Sequence, residues 1–213
     1  GITKIFGAVR ANSDICLNIR AGRIKALLGE NGAGKSTLMS ILAGHYLPDA
    51  GEIRVDGKVQ AFRSTKDAIR AGIGMVYQHF MLVEAMTVAE NIFLGQEPGF
   101  FVSPARMQER VRELATRYGL EIDPAARVSD LSMGEKQRVE ILRMLYHDSK
   151  ILILDEPTAV LTPQETRELF INLRRMADDG CAVVFISHKM NEVLELADQV
   201  TVLRGGVVTG SIG

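Results

Sequence analysis

Between Gly29 and Thr37 the chain reads GENGAGKST, with Gly29, Gly34, Lys35 and Ser36 at the positions a phosphate-binding loop requires. Glycines there let backbone N–H groups of Glu30, Asn31, Gly32, Ala33 and Gly34 converge on phosphate oxygens. Lys35 supplies a cation, and the hydroxyl of Ser36, followed by Thr37, offers a ligand to Mg²⁺. The competing reading is an ordinary glycine-rich turn. A second pair, Asp155 and Glu156, closes the apolar run ILIL. One carboxylate holds Mg²⁺ through its water shell and an adjacent one can polarise an attacking water, although a strand followed by Asp-Glu-Pro is also a common turn. Together with the loop, the pair points to a bound nucleotide with Mg²⁺ and to attack of water at a phosphate.

Both motifs sit at the ends of short apolar runs. One run ends at Leu28, a second extends from Ile73 to Tyr77 before Gln78, a third from Ile151 to Leu154, and a fourth from Ala182 to Ile186 before Ser187 and His188. Runs of this kind suit parallel strands covered on both faces, and polar residues at their ends suit a ligand site at the carboxyl edge of the sheet. After the loop, Leu38, Ile41 and Leu42 fall at helical spacing, so a helix adds its positive end to the phosphate site. Between the second and third runs the pattern turns helical: Ser103 and Pro104 read as N-cap and first turn, Met107, Val111, Leu114 and Tyr118 line one face, and Gly119 stops it. The expected division is a core of residues 1–86 and 148–213 with a helical subdomain of residues 87–147, in which Glu97 to Phe101 is a loop.

The 213 residues suffice for one large α/β domain, and 46% hydrophobic with 24% charged residues is the composition of a folded protein. A net charge of −1 and the lack of a dense Lys/Arg run weigh against nucleic acid as a partner. Cys16 and Cys181 lie in apolar stretches without a CxxC or histidine companion, so they read as reduced core thiols rather than zinc ligands. No apolar run approaches the roughly 20 residues of a spanning helix, so any service to a membrane comes from outside the bilayer. The ends, Gly1 and Gly213, read as those of a piece of a longer chain.

The segment Leu131 to Arg138, LSMGEKQR, resembles the signature loop of the ABC ATPase family, and is also a plain capping box formed by Ser132 and Glu135. The resemblance implies ATP and Mg²⁺ as cofactors, hydrolysis at the terminal phosphate, and a P-loop α/β fold with a mainly parallel sheet, an antiparallel β part near the N-terminus and a helical insertion. It implies that Ser132 and Gly134 contact nucleotide held by an opposite subunit. Phe6 resembles the family's aromatic that stacks on adenine, Gln78 its sensor of Mg²⁺ and attacking water, and His188 its switch histidine at the γ-phosphate. Taken singly, these would be a core ring, a solvated turn residue and a structural histidine. The implied catalytic set is Glu156, His188, Gln78 and Lys35, and the implied metal set Ser36, Gln78 and Asp155. Three residues depart from the family's pattern: Met133 replaces a common Gly, Glu135 a common Gln, and Thr162 a common Asp. Thr162, with Pro163 and Glu165, still forms a helix cap but without the charge.

The stretches Tyr77 to Gly95 and Leu131 to Glu165 resemble the first ATPase domain of simple-sugar or nucleoside importers, in which two such domains lie in tandem. The resemblance implies a second ABC ATPase domain, transmembrane permease subunits and, indirectly, a solute-binding protein as partners, and a peripheral place on the cytoplasmic face of the membrane. A soluble ABC-type ATPase acting on ribosomes or DNA, and a silent nucleotide-binding regulator, would share the same motifs. Met81, Leu82, Val83, Met86 and Ile92 read either as a groove for a short permease helix or as packing of the helical insertion.

Overall fold

The computed structural model describes residues 1–95 and 103–213; the loop expected from Glu97 to Phe101 lies outside the described residues. Strands β1 (Ile2–Phe6) and β2 (Val9–Ile15) pair as an antiparallel ribbon. β3 (Ile24–Leu28) leads into α1 (Lys35–Leu42). A second antiparallel ribbon joins β4 (Ile53–Val55) to β5 (Lys58–Gln60), and α2 (Thr65–Arg70) precedes β6 (Ile73–Val76). Helices α3 (Val88–Phe93), α4 (Pro104–Tyr118) and α5 (Met133–Tyr146) then precede β7 (Ile151–Asp155). The chain continues through α6 (Pro163–Asp178), β8 (Ala182–Ser187), α7 (Met190–Leu196), β9 (Gln199–Arg204) and β10 (Val207–Ile212). α4 starts and stops as its sequence predicts: Ser103 accepts the Arg106 N–H, Pro104 opens the first turn, and Gly119 ends the helix at φ 67°.

Among the described residues the central sheet has the order β10-β9-β3-β8-β7-β6, parallel except for β10. The short apolar runs become strands covered on both faces, with alternate side chains entering different layers. Ile24, Ala26, Leu152, Leu154, Val183 and Phe185 pack in one buried cluster with residues of α3 to α6. Leu27, Ile153, Val184 and Ile186 pack in another with α1 and with Ile2, Ile15 and Ile53 of the ribbons. Register decides where the chemistry lies. Leu28 pairs with Ser187, Asp155 with Ile186 and Val76 with Leu154, so four strands finish side by side at one edge, each followed by residues expected to meet nucleotide.

Two expectations change. Cys16 is exposed rather than core: Ile15, 2% exposed, points inward at the end of β2, so its successor faces out. Cys181 is half-buried, and burial pushes its thiol up to about 11. Ile92 is fully buried in the helical layer, which removes it from the expected groove. Met81 and Val83 are exposed, and Leu82 and Met86 half-buried.

Candidate nucleotide site

Residues 29–34 form the turn between β3 and α1, so the first N–H groups of α1 face the carboxyl edge of the sheet. Neighbouring backbone closes on this turn from two sides. At Gly34, whose φ is 95°, a Cβ would lie 2.2 Å from the Ala11 carbonyl oxygen, and at Gly29 it would lie 2.4 Å from that of Leu203. Asn12, fully buried, donates its Nδ2–H to the Gly34 carbonyl at 3.0 Å, and the Gly206 N–H donates to Ala33 at 3.2 Å. Glu30, Asn31 and Gly32 are exposed at the tip, Ala33 is buried, and Thr37 is half-buried. Lys35 is 5% exposed, and its ammonium donates to the Gly29 and Glu30 carbonyls at 2.7 and 2.8 Å. An ammonium has three N–H donors, so the side chain can span the mouth of the loop and still address a phosphate oxygen.

Across the sheet edge, Ser36 Oγ donates to Asp155 Oδ1 at 3.4 Å. Burial raises the pKa of Asp155, Glu156 adds to the rise, and Ser36 and Lys35 oppose it. A cation placed here would favour the charged carboxylate and so offset the rise. The hydroxyl and carboxylate are hard oxygen donors of the kind Mg²⁺ takes beside nucleotide phosphates. Among the described residues no cluster of three His, Cys, Asp or Glu side chains forms a protein-only metal cage. Two oxygen donors, Ser36 and Asp155, suit a cation that completes its shell from water and nucleotide phosphates.

Glu156 turns the chain out of β7 at φ 46°, a left-handed conformation that costs a non-glycine residue roughly 1–2 kcal/mol. Its N–H donates to Ile186 at 3.1 Å, its carbonyl accepts from Ala159 at 3.1 Å, and its Oε1 meets His188 Nδ1 at 3.2 Å. Supporting groups absent from the motifs surround this turn. Buried Gln137 donates to the Pro157 carbonyl at 2.8 Å. Glu192 accepts from Thr158 at 2.6 Å and Ser187 at 2.8 Å, and pairs with Lys189 at 3.0 Å. Burial alone would raise the Glu192 pKa, but these bonds outweigh it and hold the carboxyl low.

Gln78 is exposed just past β6. Phe6 is a surface ring, 41% exposed, edge-on to Tyr46 at 5.2 Å, with Lys4 Nζ 5.4 Å from its centroid. That separates it from a core phenylalanine and adds Tyr46, which the motifs did not mark. Ser132 caps α5 in a capping box with Glu135 and is exposed. Gly134 is buried, and its N–H donates to Glu165 Oε1 at 3.2 Å. The structure therefore turns Ser132 outward while tying Gly134 to the cap of α6.

Residues 13–159 match the family model described as ABC transporter. The chain belongs to the ABC transporter family. The nucleoside import ATP-binding protein NupA of Lactococcus lactis subsp. cremoris is 48% identical over 207 residues, 96% of this chain and 41% of that protein. The ribose import ATP-binding protein RbsA 1 of Rubrobacter xylanophilus is 48% identical over 214 residues, 100% of this chain and 43% of that protein. The chain thus spans less than half the length of these curated relatives. The dimeric ABC cassette MJ0796, in a post-hydrolysis state bound to ADP and Pi, matches with a TM-score of 0.82 at 26% identity, over 99% of this chain and 94% of that one. The fold is that of an ABC cassette, a mostly parallel α/β sheet with antiparallel ribbons and helices between β6 and β7.

Proposed function

We propose that this ABC cassette binds and hydrolyses MgATP and that hydrolysis drives import of a simple sugar or nucleoside through permease subunits, with a solute-binding protein delivering the solute. The observation that carries the catalytic part is the approach of Glu156 and His188 to 3.2 Å at the sheet edge that also holds Lys35, Ser36 and Asp155. Lys35 and the loop N–H groups bind and orient the phosphates. Glu156 accepts a hydrogen bond from water and aims it in line with the γ-phosphate, while His188 orients that carboxylate. Ser36 and Asp155 would hold Mg²⁺, with Gln78 from the neighbouring strand end; when bound, the ion neutralises charge on the β- and γ-oxygens. Ser132 covers nucleotide on a second cassette, a reading supported by the dimeric neighbour. The names of the relatives support the solute class and a peripheral position at the cytoplasmic face; no described helix is long and apolar enough to cross a membrane.

Glu156 acts on water, whereas Lys35 acts on nucleotide. Glu156→Gln should therefore remove turnover by about 10²-fold or more yet retain ATP and accumulate closed pairs, and Lys35→Ala should lose affinity and not pair. ATP hydrolysis and nucleotide retention by the intact gene product test this. Turnover of the Glu156→Gln variant within about threefold of wild type would remove the catalytic role.

A further inference from the structure

Two side chains of α5 close on a single residue of a distant loop. Glu140 is 1% exposed; its Oε1 accepts the Met81 N–H at 2.7 Å and its Oε2 accepts from Arg143 Nη2 at 2.6 Å. Arg143 Nη1 donates to the Met81 carbonyl at 2.8 Å. The N–H and C=O of one residue are thus engaged as a neighbouring β-strand would engage them. Asn91 of α3 does the same for Val83, accepting its N–H at 2.7 Å and donating to its C=O at 3.0 Å. The segment after Gln78 has side chains where a strand would have a partner. Its backbone is fastened inward, and the side chains of Met81 and Val83 face out.

A carboxylate flanked in sequence by fully buried Val139 and Ile141 is expensive to keep. Burial raises the Glu140 pKa, against the opposing effects of Arg143 and the Met81 N–H. What the ion pair supplies and an apolar pair of similar volume could not is a two-point tie, with the planar guanidinium fixed by both partners. A further tie from α5 to this segment, Lys136 to Glu84 at 3.2 Å, involves a Glu84 side chain that is 71% exposed, where an ion pair contributes little. On the other side of Gln78, Tyr77 contacts His45 after α1. Gln78 is therefore strung between an anchor near α1 and an anchor on α5.

We propose that Glu140 and Arg143 are positioning residues that couple the two nucleotide sites of a pair of cassettes. The proposal rests on the reading above, in which Ser132 meets nucleotide on the partner and Gln78 addresses nucleotide on its own chain. α5 is continuous from its cap at Ser132 to Tyr146. Engagement of Ser132 displaces α5 as a rod, the clamp carries Met81 with it, and Gln78, three residues earlier, moves relative to Lys35. Without the clamp, α5 shifts and Gln78 stays.

The test is the ATP dependence of hydrolysis by the intact gene product assembled with its permease. In the double variant Glu140→Gln/Arg143→Met both charges leave together, so no buried carboxylate is orphaned, and the donor to the Met81 carbonyl is lost. Its KM should stay within about threefold of wild type because the phosphate loop is untouched, its kcat should fall about tenfold, and its Hill coefficient should drop to about 1. Arg143→Lys keeps a cation beside Glu140 but not the planar fork that reaches both partners, so it should lose cooperativity in part while keeping the wild-type melting temperature. Wild-type kcat and Hill coefficient in the double variant would overturn the coupling. So would an equal loss in Arg143→Lys accompanied by a lowered melting temperature. Wild type that hydrolyses ATP without cooperativity overturns the coupling alone; wild type that does not hydrolyse ATP removes the functional reading with it.

Discussion

Glu165 divides one carboxylate between two turns. Its Oε2 accepts the Thr162 N–H at 2.9 Å and hydroxyl at 3.0 Å, closing the capping box of α6, and its Oε1 accepts the Gly134 N–H at 3.2 Å. The negative charge missing at position 162 is thus present three residues later and reaches the signature turn directly. Gly134 permits this approach, since a Cβ there would lie 2.6 Å from the Glu165 oxygen. The Thr162 N–H, ahead of the Thr162 hydroxyl and the Gly134 N–H, holds the carboxyl below its ordinary value of 4.5. A folded pKa below the unfolded one gives stability that is present above the unfolded pKa and is lost as pH falls through the folded pKa. Glu165→Gln turns an amide toward one of the donors and should cost about 1 kcal/mol at neutral pH. It should also flatten the acid limb of stability between about pH 5 and 3. Glu90, held low in the same kind of box by Thr87, still titrates, so the limb flattens without vanishing. Urea unfolding across that range checks this; an acid limb identical to that of wild type would contradict it.

At the scale of elements, the phosphate loop depends on how closely β2 is laid against it. Gly34 and Gly32 both have positive φ, 95° and 80°, but a Cβ at Gly32 meets nothing within 4 Å whereas one at Gly34 strikes the Ala11 carbonyl. Both alanine variants take on backbone strain of roughly 1–2 kcal/mol, and only Gly34→Ala must also displace β2. Gly34→Ala should therefore be less stable than Gly32→Ala by more than about 1 kcal/mol in urea unfolding, and equal stabilities would show that β2 yields freely. The strands and the loop were legible because their signals are local: four short apolar runs with polar ends, and a turn whose glycines and lysine lie close together in sequence. The supports of the site were not legible. Asn12 under Gly34, Glu192 between Thr158 and Ser187, and Glu140 with Arg143 on Met81 are single polar side chains whose partners lie elsewhere in the chain. No periodicity marks such residues. What stayed wrong or open has the same origin. Apolar surroundings suggested a core place for Cys16 and left Ile92 open between a groove and the packing of the insertion; the pleat of β2 turned the first outward and the packing of α3 buried the second.

On the functional reading proposed above, with Phe6 taken as the ring that stacks on the base, base and phosphates would be addressed by separate layers. The phosphate loop belongs to the central sheet, while Phe6 ends the β1–β2 ribbon, which meets the sheet where the Ser13 N–H donates to the Gly206 carbonyl at 2.8 Å and is bridged at Thr3 to Ala50, ahead of β4. A ring presented from a ribbon stacks on a base in the ground state and in the transition state alike, because nothing at the base changes during hydrolysis. Its contribution is uniform binding, which enters KM and not kcat. Around Phe6 lie a ring edge from Tyr46 and a cation from Lys4, and both suit any purine face. Phe6→Ala should then raise KM about 5- to 100-fold, the worth of one stacked base, with kcat within about twofold of wild type. The same geometry predicts weak discrimination between bases: GTP should bind within about tenfold of ATP, since stacking tolerates every base. Steady-state kinetics with both nucleotides, on wild type and Phe6→Ala, decide the matter. A fall in kcat would place Phe6 in the chemistry rather than in binding, and a GTP affinity about a thousandfold weaker would require a hydrogen-bonding group that reads the base edge, since the penalty for an unmatched buried polar group is of that order.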